Sequence, residues 1–237
     1  MASRRGLIDN RSPVRVALFV TCLADSLFPE VGRATVTVLE RLGVEVVFPR
    51  EQTCCGQLHR NSGAGADAQV LEERFDRVFA DHDVIVTPSA SCAAHVRERC
   101  GATGERVREL SSFVVDELGV TDVGARLDAR VTYHPTCHSL RFLGLRGQPR
   151  ALLDAVEGLV LLELPDATEC CGFGGTFAVK NPDVSSAMLA DKLAAVESTG
   201  ADVVCACDAS CLMHIRGGLE RRGSAVRAMH LAQVLAG

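Results

Sequence analysis

The sequence predicts an α/β fold of two tandem Rossmann-like β-α-β halves with parallel sheets, and three observations carry that expectation. Short apolar runs alternate with segments of helical periodicity, and the whole plan occurs twice along the chain. A content of 47% hydrophobic and 23% charged residues over 237 positions is that of a globular chain able to bury a substantial core. Apolar strands separated by amphipathic helices are the pattern of parallel sheets covered on both faces.

In the first half, placed at residues 13–119, VRVALFV (14–20), VEVVFP (44–49) and VIVTP (84–88) read as buried strands, while 29–41 and 66–80 carry helical periodicity. In the second half, placed at 129–237, the strands are RVTYHP (130–135), LVLLELP (159–165) and DVVCA (202–206). The segment NPDVSSAMLADKLAAVE (181–197) reads as a helix with Asn181 as N-cap and Pro182 at its first position. The repeat emerges when the chain is slid along itself. FVTC, ending at Cys22, matches HPTC, ending at Cys137; Pro49, Cys54, Cys55 and Gly56 match Pro165, Cys170, Cys171 and Gly172. Val70, Leu71, Phe75 and Val78 match Met188, Leu189, Leu193 and Val196, and SCAAHVR matches SCLMHIR, which pairs Cys92 with Cys211 and His95 with His214. The shift drifts only from 115 to 119 residues, as a few loop insertions would produce.

A formal charge of −5 and a pI near 5.8 supply no diffuse attraction to nucleic acid or to anionic membranes, so neither is expected as a partner. The apolar run VRVALFVTCLA lacks a small-residue cleavage site and soon meets Asp25, so a first strand is expected here in preference to a leader. No apolar run reaches the roughly eighteen residues of a membrane-spanning helix. The expectation is a cytoplasmic protein without membrane insertion.

Eleven cysteines are the compositional anomaly. In a reducing compartment they point to metal or redox chemistry and not to a disulfide framework. Adjacent Cα atoms lie about 3.8 Å apart, whereas unstrained disulfides span roughly 4.4–6.8 Å, so bridges within Cys54–Cys55 or Cys170–Cys171 would be strained. Cys22 and Cys137 follow the first strand of each half, the CC pairs follow the second, and Cys92 and Cys211 follow the third. Loops leaving the carboxyl ends of parallel strands converge on one rim, which gathers four thiols per half. Structural zinc sites draw on C-x2–4-C knuckles, whereas two adjacent thiolates can each take a different iron of a polynuclear cluster. The spacing favours a cluster. The glycine after each pair fits either close backbone approach to a bulky ligand or a plain turn.

The pattern C-x31-CCG-x34-SC, followed by C-x32-CCGFGG-x34-SC, resembles the cysteine-rich CCG domain family found in heterodisulfide reductases and in glycolate oxidase iron–sulfur subunits. FVTCLADSLFPEVGRATVTVLERLGVEVVFP, YHPTCHSLR, CCGFGGTFAVK and DASCLMHI resemble its lactate-utilization branch. The resemblance implies an iron–sulfur electron-transfer subunit, not autonomous as an oxidoreductase, within a multi-subunit system that oxidises L-lactate to pyruvate. Its implied partners are companion iron–sulfur and lactate-utilization subunits. It also implies a cluster of [4Fe–4S] type and ligand roles for Cys22, Cys54, Cys55, Cys92, Cys137, Cys170, Cys171 and Cys211. The broader family closes its motif with C-x-x-C. Here SASCAAH has no second cysteine, while CACDASC places Cys207 four positions before Cys211, which makes Cys207 a candidate further metal ligand in the second half only.

Cys100 and Cys205 have no counterparts and read as core residues. His95 and His214 stand one helical turn beyond the last cysteine of each set and are candidate donors to a cluster sulfur, against the alternative of a structural histidine. His134 and His138 flank Cys137 without counterparts around Cys22, Tyr133 is the sole tyrosine, and no catalytic triad emerges. CGFGG fits neither phosphate-loop pattern, so it reads as a turn, and no nucleotide or flavin is expected. The polar QLHRNSG and the more apolar GFGGTFAV beside the pairs are candidate docking segments. Two other classes remain: a thiol–disulfide or heterodisulfide-type redox subunit, which would want a C-x-x-C motif that the chain lacks, and a zinc-stabilised assembly scaffold.

Overall fold

The computed structural model describes residues 14–237, so residue 13, where the expected first half begins, lies outside the described residues. The first half runs β1 (Arg15–Leu18), α1 (Cys22–Leu27), α2 (Pro29–Arg41), β2 (Glu45–Val47), α3 (Gln57–Asn61), α4 (Gly65–Phe79), β3 (Ile85–Thr87), α5 (Ala90–Arg99), α6 (Gly101–Glu105), β4 (Val107–Glu109) and α7 (Leu110–Ser112), which continues as a π-helical turn at Phe113–Glu117. The second runs β5 (Arg126–Tyr133), a π-helical turn at His138–Phe142, α8 (Gln148–Asp154), β6 (Glu157–Leu162), α9 (Phe177–Lys180), α10 (Pro182–Ser198), β7 (Val203–Ala206), α11 (Ala209–Arg222), β8 (Arg227–His230) and α12 (Leu231–Ala236).

Each half holds one four-stranded parallel sheet, in the orders β2-β1-β3-β4 and β6-β5-β7-β8. The expected tandem Rossmann-like α/β architecture is what the chain adopts, and the two sheets have the same topology. The three strands expected per half are present, and so is the helix 29–41. The helix expected at 181–197 runs Pro182–Ser198; Asn181 occupies the N-cap position without a side-chain cap bond, so Pro182 carries the start signal. The fourth strand of each sheet had no apolar run to mark it. VRE and RAMH are short and charged, and they pair only along β3 and β7.

Strand alternation sets the layers. Val16 and Val86, with Val131 and Val203, turn to a core common to both halves, which α2, α7, α8 and α12 also line through Leu39, Leu110, Leu152 and Leu235. Ala17, Phe19 and Ile85 turn the other way onto α4, where Phe19 meets Phe75 and Phe79 near edge-on at 5.1 and 5.5 Å. Val204 faces α10 and α11 in the same manner, against Leu193, Val196 and Ile215. The last helix of each half lies on the first long helix of the other: α12 packs on α2, and α7 packs on α8. Arg41 seals the first of these contacts by donating to the carbonyls of Leu235 (3.1 Å) and Ala236 (2.7 Å).

Candidate metal centre

In this strand order the chain leaves β1 and β3 toward opposite sides, which opens a crevice at their carboxyl ends. Cys22 opens α1 directly after β1, Cys54 and Cys55 stand in the loop from β2 to α3, and Cys92 lies in the first turn of α5. The second half repeats this with Cys137 after β5, Cys170 and Cys171 after β6, and Cys211 in the first turn of α11. The two crevices meet in one cavity lined by all eight of these cysteines.

Within each set the thiols touch in sequence order. Cys22 contacts Cys54, Cys54 contacts Cys55, and Cys55 Sγ lies 3.3 Å from Cys92 Sγ. Cys137, Cys170, Cys171 and Cys211 form the matching line. Burial matches as well: the second cysteine of each pair and the helix-borne one are buried, and the other two are half-exposed. The Cys54 pKa is lowered to about 2 because its sulfur accepts from Cys22 and Cys55, helped by the Gly56 N–H at 3.4 Å. That of Cys170 is lowered to about 2 by Cys137 and Cys171, helped by the Gly172 N–H at 3.3 Å. The donors Cys22, Cys55, Cys137 and Cys171 are pushed up by the same contacts and by burial. The sulfur near the middle of each set is thus the one its neighbours most favour as thiolate, the form in which cysteine binds metal.

The glycine of each CCG serves helix packing as well as the turn. Gly56 sits at φ 92° and Gly172 at φ 87°. A Cβ on Gly56 would stand 3.0 Å from the Ala68 carbonyl oxygen of α4, and one on Gly172 would stand 2.6 Å from the Ser185 oxygen of α10. What approaches each glycine closely is thus a helix of its own half. CGFGG forms the expected turn, with Gly172, Gly174 and Gly175 all at positive φ. It reaches across the cavity mouth, where Gly175 packs on Leu58 of α3 and Thr176 bonds Ser62 at 2.9 Å.

Polar groups join the two sets. Asp208, the N-cap of α11, is buried and accepts from Ser89 Oγ (2.7 Å), Ser91 Oγ (2.8 Å), Ser91 N (3.1 Å) and Thr136 Oγ1 (2.8 Å), so one carboxylate ties α5 to the loop after β5. Gln57 Nε2 donates to the Ser91 carbonyl at 3.0 Å and lies 3.1 Å from His138 Nε2, and His138 Nδ1 lies 3.6 Å from Cys137 Sγ. Glu109 caps α7 and accepts from the N–H groups of Ser111 and Ser112; its burial pushes its carboxyl up to about 7.

The structure separates the remaining candidates from the thiol sets. Cys207 shares the strand face of Val203 and Cys205, so it points into the common core, where its Sγ lies 3.1 Å from Tyr133 Oη. It does not join the line of Cys170, Cys171 and Cys211. Cys205 and Cys100 are buried, as their core assignment requires, and burial pushes Cys100 up to about 12. His95 Nε2 lies 3.1 Å from Glu72, whose carboxylate also holds Arg60, and His214 lies 3.3 Å from Ser185 Oγ. Both contacts lie away from sulfur, although His95 Nε2 stands beside the Glu72 carboxylate without hydrogen-bond geometry. His134 is likewise buried, with Nδ1 unpartnered, and one of its ring nitrogens lies within 4.8 Å of both Cys171 and Cys211. Lys192 is buried at 1% exposure with one hydrogen bond, from Nζ to the Asp166 carbonyl at 2.8 Å. Burial lowers its pKa, and Cys171, Glu169, Asp166 and Cys170 oppose that effect.

Asp208, Glu109 and Lys192 were not apparent from the sequence. For Asp208 a signal existed, because SASC against DASC in the repeat sets a carboxylate where the first half has Ser89. Lys192 aligns with Arg74, an exchange of cations that gives no hint of burial.

A family model described as a cysteine-rich domain, CCG, matches the chain twice, over residues 16–97 and 131–216. Lactate utilization protein A of Exiguobacterium sp. is 46% identical to this chain, covering 93% of it and 96% of the relative. The proteins of the same name from Geobacillus kaustophilus and Bacillus subtilis are 45% and 44% identical; each alignment covers 94% of this chain and, respectively, 98% and 99% of the relative.

Proposed function

The chain belongs to the cysteine-rich CCG domain family and is similar over nearly its whole length to lactate utilization protein A, and we propose that it serves lactate utilization as an iron–sulfur electron-transfer subunit of a system that oxidises L-lactate to pyruvate. The observation that carries this reading is the pair of four-thiol lines, alike in order, contact and burial, that face one cavity. A single zinc wants four donors converging at about 2.3 Å. Among the described residues the three donors that stand within 4.8 Å of one another are His134, Cys171 and Cys211, which leaves Cys137 and Cys170 outside so small a site. Thiols strung out in sequence suit a centre with several irons, each thiolate taking its own.

Cys22, Cys54, Cys55 and Cys92 would hold one cluster, and Cys137, Cys170, Cys171 and Cys211 the other, of [4Fe–4S] type. When bound, such a centre takes up and gives back one electron at a time. The protein's own part is to present the thiols already gathered, to exclude water from Cys55, Cys92, Cys171 and Cys211, and to fix the two halves through Asp208. Companion iron–sulfur and lactate-utilization subunits supply the lactate-oxidising centre and the onward acceptor. The segment GFGGTFAV at 172–179, which runs from the turn into α9 and carries Val179 at 81% exposure, is a docking candidate beside the cavity, as is QLHRNSG at 57–63.

Anaerobic purification followed by iron and acid-labile sulfide analysis tests the cofactor. Stoichiometric zinc without sulfide after cluster reconstitution would leave a scaffold in place of a carrier. Growth on L-lactate of a deletion strain complemented with wild type or Cys171→Ser tests the role; normal growth without the protein removes the lactate assignment, and full rescue by a folded Cys171→Ser removes electron transfer.

A further inference from the structure

The repeat makes each thiol set a control for the other, and the thiols themselves match. What surrounds them does not. Phe19, which opens FVTC, aligns with His134, which opens HPTC, and Arg74 aligns with Lys192 at the shift that relates α4 to α10. In the first half Phe19 meets Phe75 and Phe79 edge-on in the same apolar cluster as Cys55 and Cys92. Arg74 directs its guanidinium away, to the Glu51 carbonyl at 3.1 and 2.8 Å. In the second half the aromatic is replaced by buried His134, with a ring nitrogen beside Cys171 and Cys211. The arginine is replaced by Lys192, at 1% exposure.

A lysine rarely buries its ammonium unless an opposite charge or several acceptors compensate it, and Lys192 has one hydrogen bond, to a carbonyl. It shares a pocket with the carboxylates of Asp166 and Glu169 and with Cys170, and Cys170 and Cys171 add negative charge beside it once they ligate metal. Reduction adds one negative charge to a centre. A buried cation and a nitrogen able to donate to sulfur stabilise that charge, whereas an aromatic wall of low polarity does not.

Resting on the cluster reading above, we infer that the two centres are unequal. The second-half centre is the higher-potential, electron-accepting one, and Lys192 and His134 are the residues that set the difference. The step this implies is the passage of one electron from the reduced first-half centre to the oxidised second-half centre, with no bond made or broken and no proton moved.

The test is potentiometric titration of the anaerobically reconstituted full chain, followed by electron paramagnetic resonance. Wild type is expected to show two midpoint potentials, of which Cys170→Ser abolishes the higher and Cys54→Ser the lower. Lys192→Met and His134→Phe, the latter copying the first half, are each expected to shift only the higher potential downward. Lys192→Arg should keep it near wild type, and Arg74→Met should move neither. Loss of the higher signal in Cys54→Ser, an unmoved higher potential in a folded Lys192→Met, or equal shifts of both potentials would overturn the inference. Lys192→Gln, which retains a donor for the Asp166 carbonyl, provides the reading should the methionine variant melt. Wild type without iron overturns this inference together with the cluster reading, whereas iron with one shared potential overturns this inference alone.

Discussion

Replacing Asp208 by alanine is expected to be among the most damaging changes outside the cysteines, because it removes the acceptor of four hydrogen bonds drawn from both halves. Hydrogen bonds to a charged group contribute about 1.5–3 kcal/mol each, but these four share one carboxylate and do not add. Deleting the carboxylate strands the buried Ser91 N–H and robs three hydroxyls of their acceptor; a buried donor left unsatisfied costs about 1–3 kcal/mol, so Asp208→Ala should cost about 3–5 kcal/mol in all. Against a domain stability of roughly 5–15 kcal/mol, such a loss would bring the protein near its threshold. Asp208→Asn keeps one oxygen for Ser89 and Ser91 and turns an amide toward Thr136, whose hydroxyl can rotate to accept, so it should cost only about 1–2 kcal/mol. Urea unfolding of the reduced apo chain, with the slope unchanged between variants, measures both. A loss below about 1 kcal/mol in Asp208→Ala, smaller than one net hydrogen bond, would refute the view that this side chain ties the halves, and so would an asparagine variant as weak as the alanine one.

The repeat made most of the fold legible, since Cys22, the CCG pairs and Cys92 with their partners fix where strands end and which loops converge. Apolar runs marked β1, β2, β3 and their counterparts. VRE and RAMH were not legible because an edge strand of three or four residues, flanked by charge, has neither the alternation nor the run that signals a strand. The eight ligand candidates were readable from sequence, and the structure draws them into two lines. The placement of Cys207 in the common core was not readable, because one residue of strand phase decides whether a side chain meets the cavity or the core. The cross-half ties were invisible for another reason: Asp208 meets Ser91 over 117 residues, and no periodic pattern encodes a contact of that separation.

Three further outcomes follow from the same geometry. Glu109 is raised to about 7 from an ordinary value of 4.5, so it destabilises the fold as pH rises through that window, by roughly 3 kcal/mol once ionised in both states; Glu109→Gln should therefore gain on wild type between pH 5 and pH 8, and a pH-independent difference in urea unfolding would contradict this. Gly172→Ala should cost about 2–4 kcal/mol and Gly56→Ala less, because both force a side chain into positive φ but the first Cβ meets backbone at 2.6 Å and the second at 3.0 Å; thermal melts in the reverse order would refute the packing argument. The last concerns separability. Val38 and Leu39 of α2 are fully buried in the core that α12 completes, and fully burying each such side chain contributes about 1.5–3 kcal/mol. A fragment of residues 1–124 loses α12 and exposes that face, along with the partners of Arg41 at Leu235 and Ala236. It should show helix by circular dichroism but no cooperative unfolding transition, and it should regain one when mixed with the fragment 125–237. If the first fragment alone melts sharply, each half closes its own core and the exchange of terminal helices is decoration on two independent domains.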